Sequence, residues 1–224
     1  HNGRRRQRQM CIRDSAQDCK NLGASIFENC KFVSYQINSG KIKSSIFNNN
    51  GVVNIQSEKI VFATGGYGGK EIKDLKNFWL PIKTFIGVTK PMGNELQSVL
   101  KKPLGFSDNR RAGNYYRVLP GNRLSWGRGI SAVGKFTSLS LKRAISKEIS
   151  YFFPELRNVE IDYVWSGNMA YASHYMPYVG STKIGNEEKN VFTLMGFGGH
   201  GMNTAPGSAM VLADFILGKS SKHE

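Results

Sequence analysis

Gly196-Phe197-Gly198-Gly199-His200-Gly201-Met202-Asn203-Thr204-Ala205-Pro206 reads GFGGHGMNTAP, and an apolar run from Val191 to Met195 leads into it. A helical pattern, Met210 to Leu217, leads out and stops at Gly218. The segment therefore reads strand, glycine loop, helix. Four glycines within six residues leave little side chain in the way, so the backbone can approach a flat ligand closely. The helix behind the loop offers unpaired N–H groups and a partial positive charge. Asn203 or Thr204 is expected to cap a helix over 204–217, with Pro206 in its first turn. A site of this kind suits an acceptor oxygen that becomes anionic.

Upstream of the loop the chain is mostly strand. Ile60 to Ala63 is a short buried strand ending at Thr64-Gly65-Gly66. Lys41 to Phe47 and Gly51 to Gln56 are strands about Asn48-Asn49-Asn50-Gly51, where Asn and Gly tolerate positive φ. Ser25 to Ile37 supplies one or two more, and residues 16–22 end a helix stopped by Gly23. A different region separates these strands from the loop. Thr84 to Lys90 is a strand before Pro91, and Asn114 to Leu119 and Arg123 to Gly127 flank the hairpin turn Pro120-Gly121-Asn122. Phe136 to Phe153 is a helix with Leu141, Ile145, Ile149 and Phe152 on one face, ended by Pro154. Val159 to Trp165 alternates, which predicts Val159, Ile161, Tyr163 and Trp165 on one side. The fold class is mixed α/β (α+β), with a mostly antiparallel sheet and a covering helix in this region.

Composition bounds the function. The 224 residues carry a formal net charge of +15 and 40% hydrophobic residues, enough for a real core. No apolar run approaches the length of a membrane span. The basic residues do not cluster with aromatics on a recognisable module, which argues against nucleic acid as a partner. Cys11, Cys19 and Cys30 form no CxxC or Cys/His ligand spacing, so neither a metal nor a disulfide is expected, and a reducing cytoplasm fits. His174 and His200 are the only internal histidines, leaving no triad to propose.

The glycine loop resembles the C-terminal flavin loop of the FAD-dependent amine and amino-acid oxidases, the D-amino-acid oxidase-like family, and within it the gamma-glutamylputrescine oxidoreductase branch. Further matching pieces follow in the family's order. They are Val61 to Tyr67, Asn114-Tyr115-Tyr116-Arg117, Arg123-Leu124-Ser125-Trp126-Gly127, Trp165-Ser166-Gly167 and Met176-Pro177-Tyr178-Val179-Gly180. The resemblance covers roughly residues 16–218. It implies the C-terminal part of a two-domain FAD/NAD(P)-binding oxidoreductase. Residues 15–74 would be a partial FAD-binding domain, 75–185 an antiparallel-sheet substrate domain, 186–218 the return to the FAD domain, and 219–224 a tail.

A FAD enzyme of this kind opens with strand, GxGxxG, helix and an acidic residue for the ribose, and no such unit stands in the first half of these 224 residues. The N-terminal Rossmann βαβ is accordingly expected to be missing. Residues 1–14 instead hold five arginines, contribute +4 of the charge and show no apolar periodicity. RRQRQMCIRD resembles a translated sequencing adapter, so native sequence is expected from about Ser15. The other reading is a disordered basic arm; on either, residues 1–14 pack against nothing.

The resemblance also assigns roles. Val33 matches a position whose backbone meets the adenine, and Thr64 and Gly65 match the turn near the cofactor's phosphate and ribose. Gly198, Gly199, His200, Gly201, Met202 and Asn203 would hold the flavin. No cysteine precedes the MPYVG segment, so the FAD is expected to be noncovalent. His200 either donates to flavin or substrate or only fills the loop, and Asn203 stands where some relatives carry a lysine that assists reaction with oxygen. His174 is read as a turn residue. Trp126, Trp165, Tyr115, Tyr116 and Tyr171 either line an amine cage or pack in the core, Trp165 being favoured for the cage. Arg117 and Arg123 are candidates to clamp a carboxylate, Arg117 first. The catalytic set is His200, Trp165, Tyr171 and Arg117. The implied activity is FAD-dependent oxidation of a small-molecule amine or amino acid, with flavin reoxidised by oxygen. The alternatives are a quinone-linked amino-acid dehydrogenase, a flavin-bearing RNA-modification protein and an inactive fragment.

Overall fold

The structure, a computed structural model, describes residues 3–68, 78–102, 104–110, 113–132, 136–182 and 190–219, with side chains from Ile12 onward. The expected boundaries near residues 75 and 186, and the tail from residue 220, lie outside the described residues. The chain divides into two compact units, one of His1–Thr64, Gly68–Phe78 and Tyr175–Glu224, the other of Gly65–Tyr67 and Trp79–His174.

The first unit begins with α1 (Gly3–Asn21), so the helix expected over 16–22 reaches back through the basic run. Arginine, glutamine and methionine are good helix formers, which outweighs the absence of an apolar stripe. Its side chains from Ile12 are exposed except for half-buried Ala16, and Gly23 (φ +94°) ends it. β1 (Lys31–Asn38), β2 (Lys41–Asn48) and β3 (Gly51–Ser57) form an antiparallel meander. Its turns fall at Ser39-Gly40, both with positive φ, and at Asn49-Asn50 before Gly51 (φ +106°). β4 (Ile60–Phe62) buries only Phe62, whose ring meets Phe32 and Tyr35 of β1.

The second unit holds β5 (Trp79–Thr89), α2 (Gly93–Val99), β6 (Gly105–Ser107), β7 (Tyr115–Leu119), β8 (Arg123–Ser131), α3 (Ser138–Phe152) and β9 (Ile161–Ala172). Its five-stranded sheet has the order β6-β7-β8-β5-β9 with every pairing antiparallel. β5 starts five residues before the expected Thr84 and passes through Pro81. Among the described residues β5 pairs with β8 from Lys83 onward, and Pro81 lies on the ladder to β9 opposite Ala170.

The Pro120–Asn122 turn closes the β7–β8 hairpin, with Gly121 and Asn122 at positive φ. Thr137 and Ser140 form a capping box at the start of α3, and Leu141, Ile145 and Ile149 are buried beneath it. Phe152, predicted on the same face, is 37% exposed. Gly87 lets α3 approach the sheet, since a Cβ there would lie 2.8 Å from Ile145 Cδ1.

One prediction of phase fails. Ile161 packs in the core with Val159, whereas Tyr163 and Trp165 are 58% and 49% exposed. The β5–β9 ladder shifts register between Val88 and Thr89, pairing Val88 with Tyr163 but Thr89 with Ile161. The extra residue, Asp162, inverts the alternation, and Val164 takes the core side instead.

The first unit is completed by β10 (Tyr178–Ser181), β11 (Val191–Met195) and α4 (Gly201–Ile216). The sheet order is β10-β11-β4, with β11 antiparallel to β10 and parallel to β4. α4 lays Ala205, Ser208 and Leu212 toward the sheet, and Phe215 meets Phe192 of β11. Gly218 (φ +64°) stops it: the Lys219 amide donates to the Asp214 carbonyl and the Gly218 amide to Phe215, a Schellman ending.

Candidate active site

In the first unit, β11 runs straight into the glycine loop. Gly196 (φ +85°) and Gly198 (φ +56°) sit in the left-handed region, which strains any other L-residue. Residues 198–200 form a 3-10 turn in which the His200 amide donates to the Phe197 carbonyl at 3.1 Å, and α4 follows without a break. The helix therefore starts at Gly201, three residues before the predicted position. His200 takes the N-cap place and supplies no side-chain cap. Asn203 lies inside the first turn, and Thr204 Oγ1 donates back to the His200 carbonyl at 3.0 Å. The predicted capping by Asn203 or Thr204 fails because the 3-10 turn already feeds the helix. Pro206 stands one turn further in than predicted.

The consequence is chemical. The first amides of a sixteen-residue helix carry no side-chain cap, and Gly199 to Thr204 are exposed except for half-buried Gly201. Positive-φ glycines and a helix N-terminus without a side-chain cap form a donor set that fits an electron-rich carbonyl edge such as a flavin's. Gly201 adopts ordinary helical angles, and a Cβ there would meet only Phe197 at 3.5 Å.

Val33, 42% exposed, lies in the register shift of the β1–β2 ladder between Phe32 and Ser34, where pairing is interrupted. Thr64 ends the first unit's β4 segment. Gly65 (φ +59°) opens a 3-10 turn of the second unit, Gly65–Tyr67, seated on β9. A Cβ on Gly66 would lie 2.7 Å from the Asn168 carbonyl, and the Tyr67 hydroxyl accepts from the Asn168 amide at 3.1 Å.

In the second unit the sheet has two different faces. α3 covers one. There Trp126 is fully buried and stacked on Tyr116 at 4.6 Å, so both are core residues rather than cage walls. Glu148 of α3 ties that face together, accepting from Asn114 Nδ2 at 3.0 Å, Trp126 Nε1 at 3.4 Å and Arg128 Nε at 2.8 Å.

The opposite face carries the remaining candidates, and the ladders give its rows. One row runs Tyr115, Gly127, Ile86, Trp165, and the next runs Arg117, Ser125, Val88, Tyr163. Tyr171 shares the face six residues along β9, opposite Leu80. Arg117 and Arg123 differ. Arg123 donates to Asp162 Oδ2 at 2.6 Å and to the Thr89 carbonyl at 3.0 Å, and lies over the Tyr163 ring. Arg117 is half-buried and pairs with no carboxylate among the described residues. Its neighbours on the adjoining strands are Gly105 and Ser125, both small. Sequence reasoning overlooked Tyr163, Ile86 and Gly127; the hairpin register, fixed by the Pro120–Asn122 turn, was the signal that places Gly127 opposite Tyr115.

With strand, glycine loop and helix N-terminus in one unit and an aromatic-rich antiparallel sheet face in the other, the chain belongs to the FAD dependent oxidoreductase (DAO) family, which it matches over residues 8–215. Among curated proteins it is 25% identical over 217 residues to "Probable oxidoreductase OrdL" of Haemophilus influenzae, covering 92% of this chain and 46% of that one. It is 24% identical over 172 residues to gamma-glutamylputrescine oxidoreductase of Escherichia coli, covering 76% and 39%. Its fold is similar to glycine oxidase from Geobacillus kaustophilus (TM-score 0.70, 18% identity, 92% of this chain and 52% of that one). It is also similar to L-proline dehydrogenase from P. horikoshii (TM-score 0.68, 21% identity, 92% and 54%). The chain spans about half the length of the proteins it matches. Among the described residues no helix is long and apolar enough to cross a membrane.

Proposed function

We propose that this chain is the C-terminal part of an enzyme that uses noncovalent FAD to oxidise a small amine or amino acid to an imine, which water hydrolyses to an aldehyde or keto acid. The observation that carries the reading is the uncapped N-terminus of α4 behind two positive-φ glycines. Gly198, Gly199, His200, Gly201, Met202 and Asn203 would hold the flavin end of the cofactor. Val33, with its interrupted ladder, Thr64 and Gly65 would meet the adenine, ribose and phosphate end. FAD, when bound, accepts the electrons that leave the carbon bearing nitrogen.

The chain's own residues bind and orient the substrate. Arg117, half-buried and unpaired among the described residues, takes a carboxylate. Trp165 and Tyr115 present aromatic faces that attract an ammonium group by roughly 0.5–2 kcal/mol. Tyr171 extends the same face, and His200, exposed beside the loop, donates to cofactor or substrate. The gamma-glutamylated polyamine class is the favoured substrate, on the likeness to gamma-glutamylputrescine oxidoreductase. Oxygen is the proposed acceptor. A quinone acceptor is the second reading, favoured by Asn203, exposed in the first turn of α4, a position where some amine-oxidase relatives carry a lysine that assists reaction with oxygen.

The test uses the polypeptide with its native upstream sequence, loaded with FAD and mixed anaerobically with glycine, proline, sarcosine and a gamma-glutamylated diamine. Loss of the oxidised flavin absorbance with at least one of these is expected. Reoxidation by oxygen against a soluble quinone then separates the two acceptors. Flavin that none of the amines or amino acids reduces would contradict the reading.

A further inference from the structure

The geometry points to Tyr115 as the side chain that sets which substrates fit beside Arg117, with Gly127 as its seat. The inference rests on the amine- or amino-acid-oxidising reading above. Tyr115 stands on β7 directly opposite Gly127 of β8, on the face away from α3. A Cβ built on Gly127 would overlap Cζ, Cε2 and Cδ2 of the Tyr115 ring. The ring therefore lies flat across β8 in the space a side chain would fill, not upright above its own strand. Gly127 has no positive φ to account for the glycine, so the close approach of the ring is what requires it.

That posture shapes the face. Tyr115 and Arg117 are two residues apart on one strand, about 7 Å. Lying down, the ring closes the space beside Arg117 over β8 and faces Ile86 and then Trp165 along the same row. Two strand spacings, about 10 Å, separate β8 from β9 across that row. Beyond Arg117 on the β6 side, a Cβ on Gly105 would meet nothing within 4 Å. A ligand whose carboxylate engages Arg117 thus meets, among the described residues, no atom over Gly105 and an aromatic wall at Tyr115. The wall rations the length of the chain attached to the carboxylate. The competing explanation is that Tyr115 merely covers a strand glycine to stabilise the sheet.

Calorimetric titration separates them. The FAD-loaded polypeptide with its native upstream sequence is titrated with acetate, butyrate and hexanoate, as wild type, Tyr115→Ala, Gly127→Ala and the double variant; turnover with the amino-acid panel is measured alongside. Tyr115→Ala is expected to shift the hexanoate-to-acetate Kd ratio by about tenfold toward hexanoate. Gly127→Ala, which lifts the ring into the face, is expected to weaken all three ligands by about tenfold or more, and adding Tyr115→Ala is expected to restore them. A Kd ratio unchanged within about twofold in Tyr115→Ala, whatever happens to Tm, overturns the inference and leaves only the sheet-covering role. Absence of carboxylate binding by the wild type overturns it too. Carboxylate binding that behaves as expected, without turnover of any amine, supports the wall and strikes only the oxidation reading.

Discussion

In the proposed site, the loop at 196–204 and the sheet face around Tyr115 and Arg117 would recognise ligands through different atoms. The loop would act through backbone N–H groups set by φ angles at Gly196 and Gly198. The face would act through side chains, with the strands beneath setting their rows. The loop should therefore fail when backbone geometry is forced, and the face when a single functional group is removed.

The largest expected effect follows from the loop. Gly198→Val forces a β-branched residue into φ +56° and is expected to abolish flavin binding, read as flavin absorbance retained after gel filtration. Gly201→Ala, where φ is −55° and the nearest atom lies at 3.5 Å, should retain most of it. Equal losses in the two variants would mean the φ argument is wrong. On the face, Arg117→Gln should cost about 1.5–3 kcal/mol in kcat/KM for substrates with a carboxylate, roughly 10- to 100-fold, and little for an amine without one. Steady-state kinetics on a matched acid and amine pair check this.

How much of this was legible in the sequence depended on whether a local signal set the geometry. The Pro120–Asn122 hairpin, the α3 stripe of Leu141, Ile145 and Ile149, and the stop at Gly218 each rest on residues within one turn of the feature, and each is present. The start of α4 was misplaced because the 3-10 turn at 198–200 carries no cap residue to mark it. The phase of β9 was misread because the register shift opposite Val88 and Thr89 is set by the neighbouring strand, not by the alternation itself. The sorting of aromatics followed from the same cause. Alternation divides Tyr115 from Tyr116 and Trp126 from Gly127, but which face α3 covers is a tertiary fact.

Two smaller effects concern the second unit's frame. Gly66→Ala would drive a Cβ against the Asn168 backbone, which cannot yield as a side-chain end can, and is expected to destabilise by about 1–3 kcal/mol in urea unfolding. The smallest effect is a pH dependence. The Asp108 carboxyl is held down at about 2, below its usual 3.8, first by the Arg110 guanidinium that hydrogen-bonds it and then by the Asn114 amide. A carboxyl lowered in the folded state adds stability above its unfolded pKa of about 3.9 and loses it as pH falls. The stability gap between wild type and Asp108→Asn should hold constant above about pH 5 and close between about pH 5 and 2. A gap that does not change over that range would remove the carboxylate from the explanation.

The division of labour between loop and face is tested most directly by one crossed measurement on Gly198→Val and Arg117→Gln in the FAD-reconstituted polypeptide. Flavin-to-protein ratio and acetate affinity are determined on the same preparations. The expected result is flavin lost in Gly198→Val and kept in Arg117→Gln, with acetate affinity lost in Arg117→Gln. Full flavin content in Gly198→Val, or undiminished acetate binding in Arg117→Gln, would contradict it.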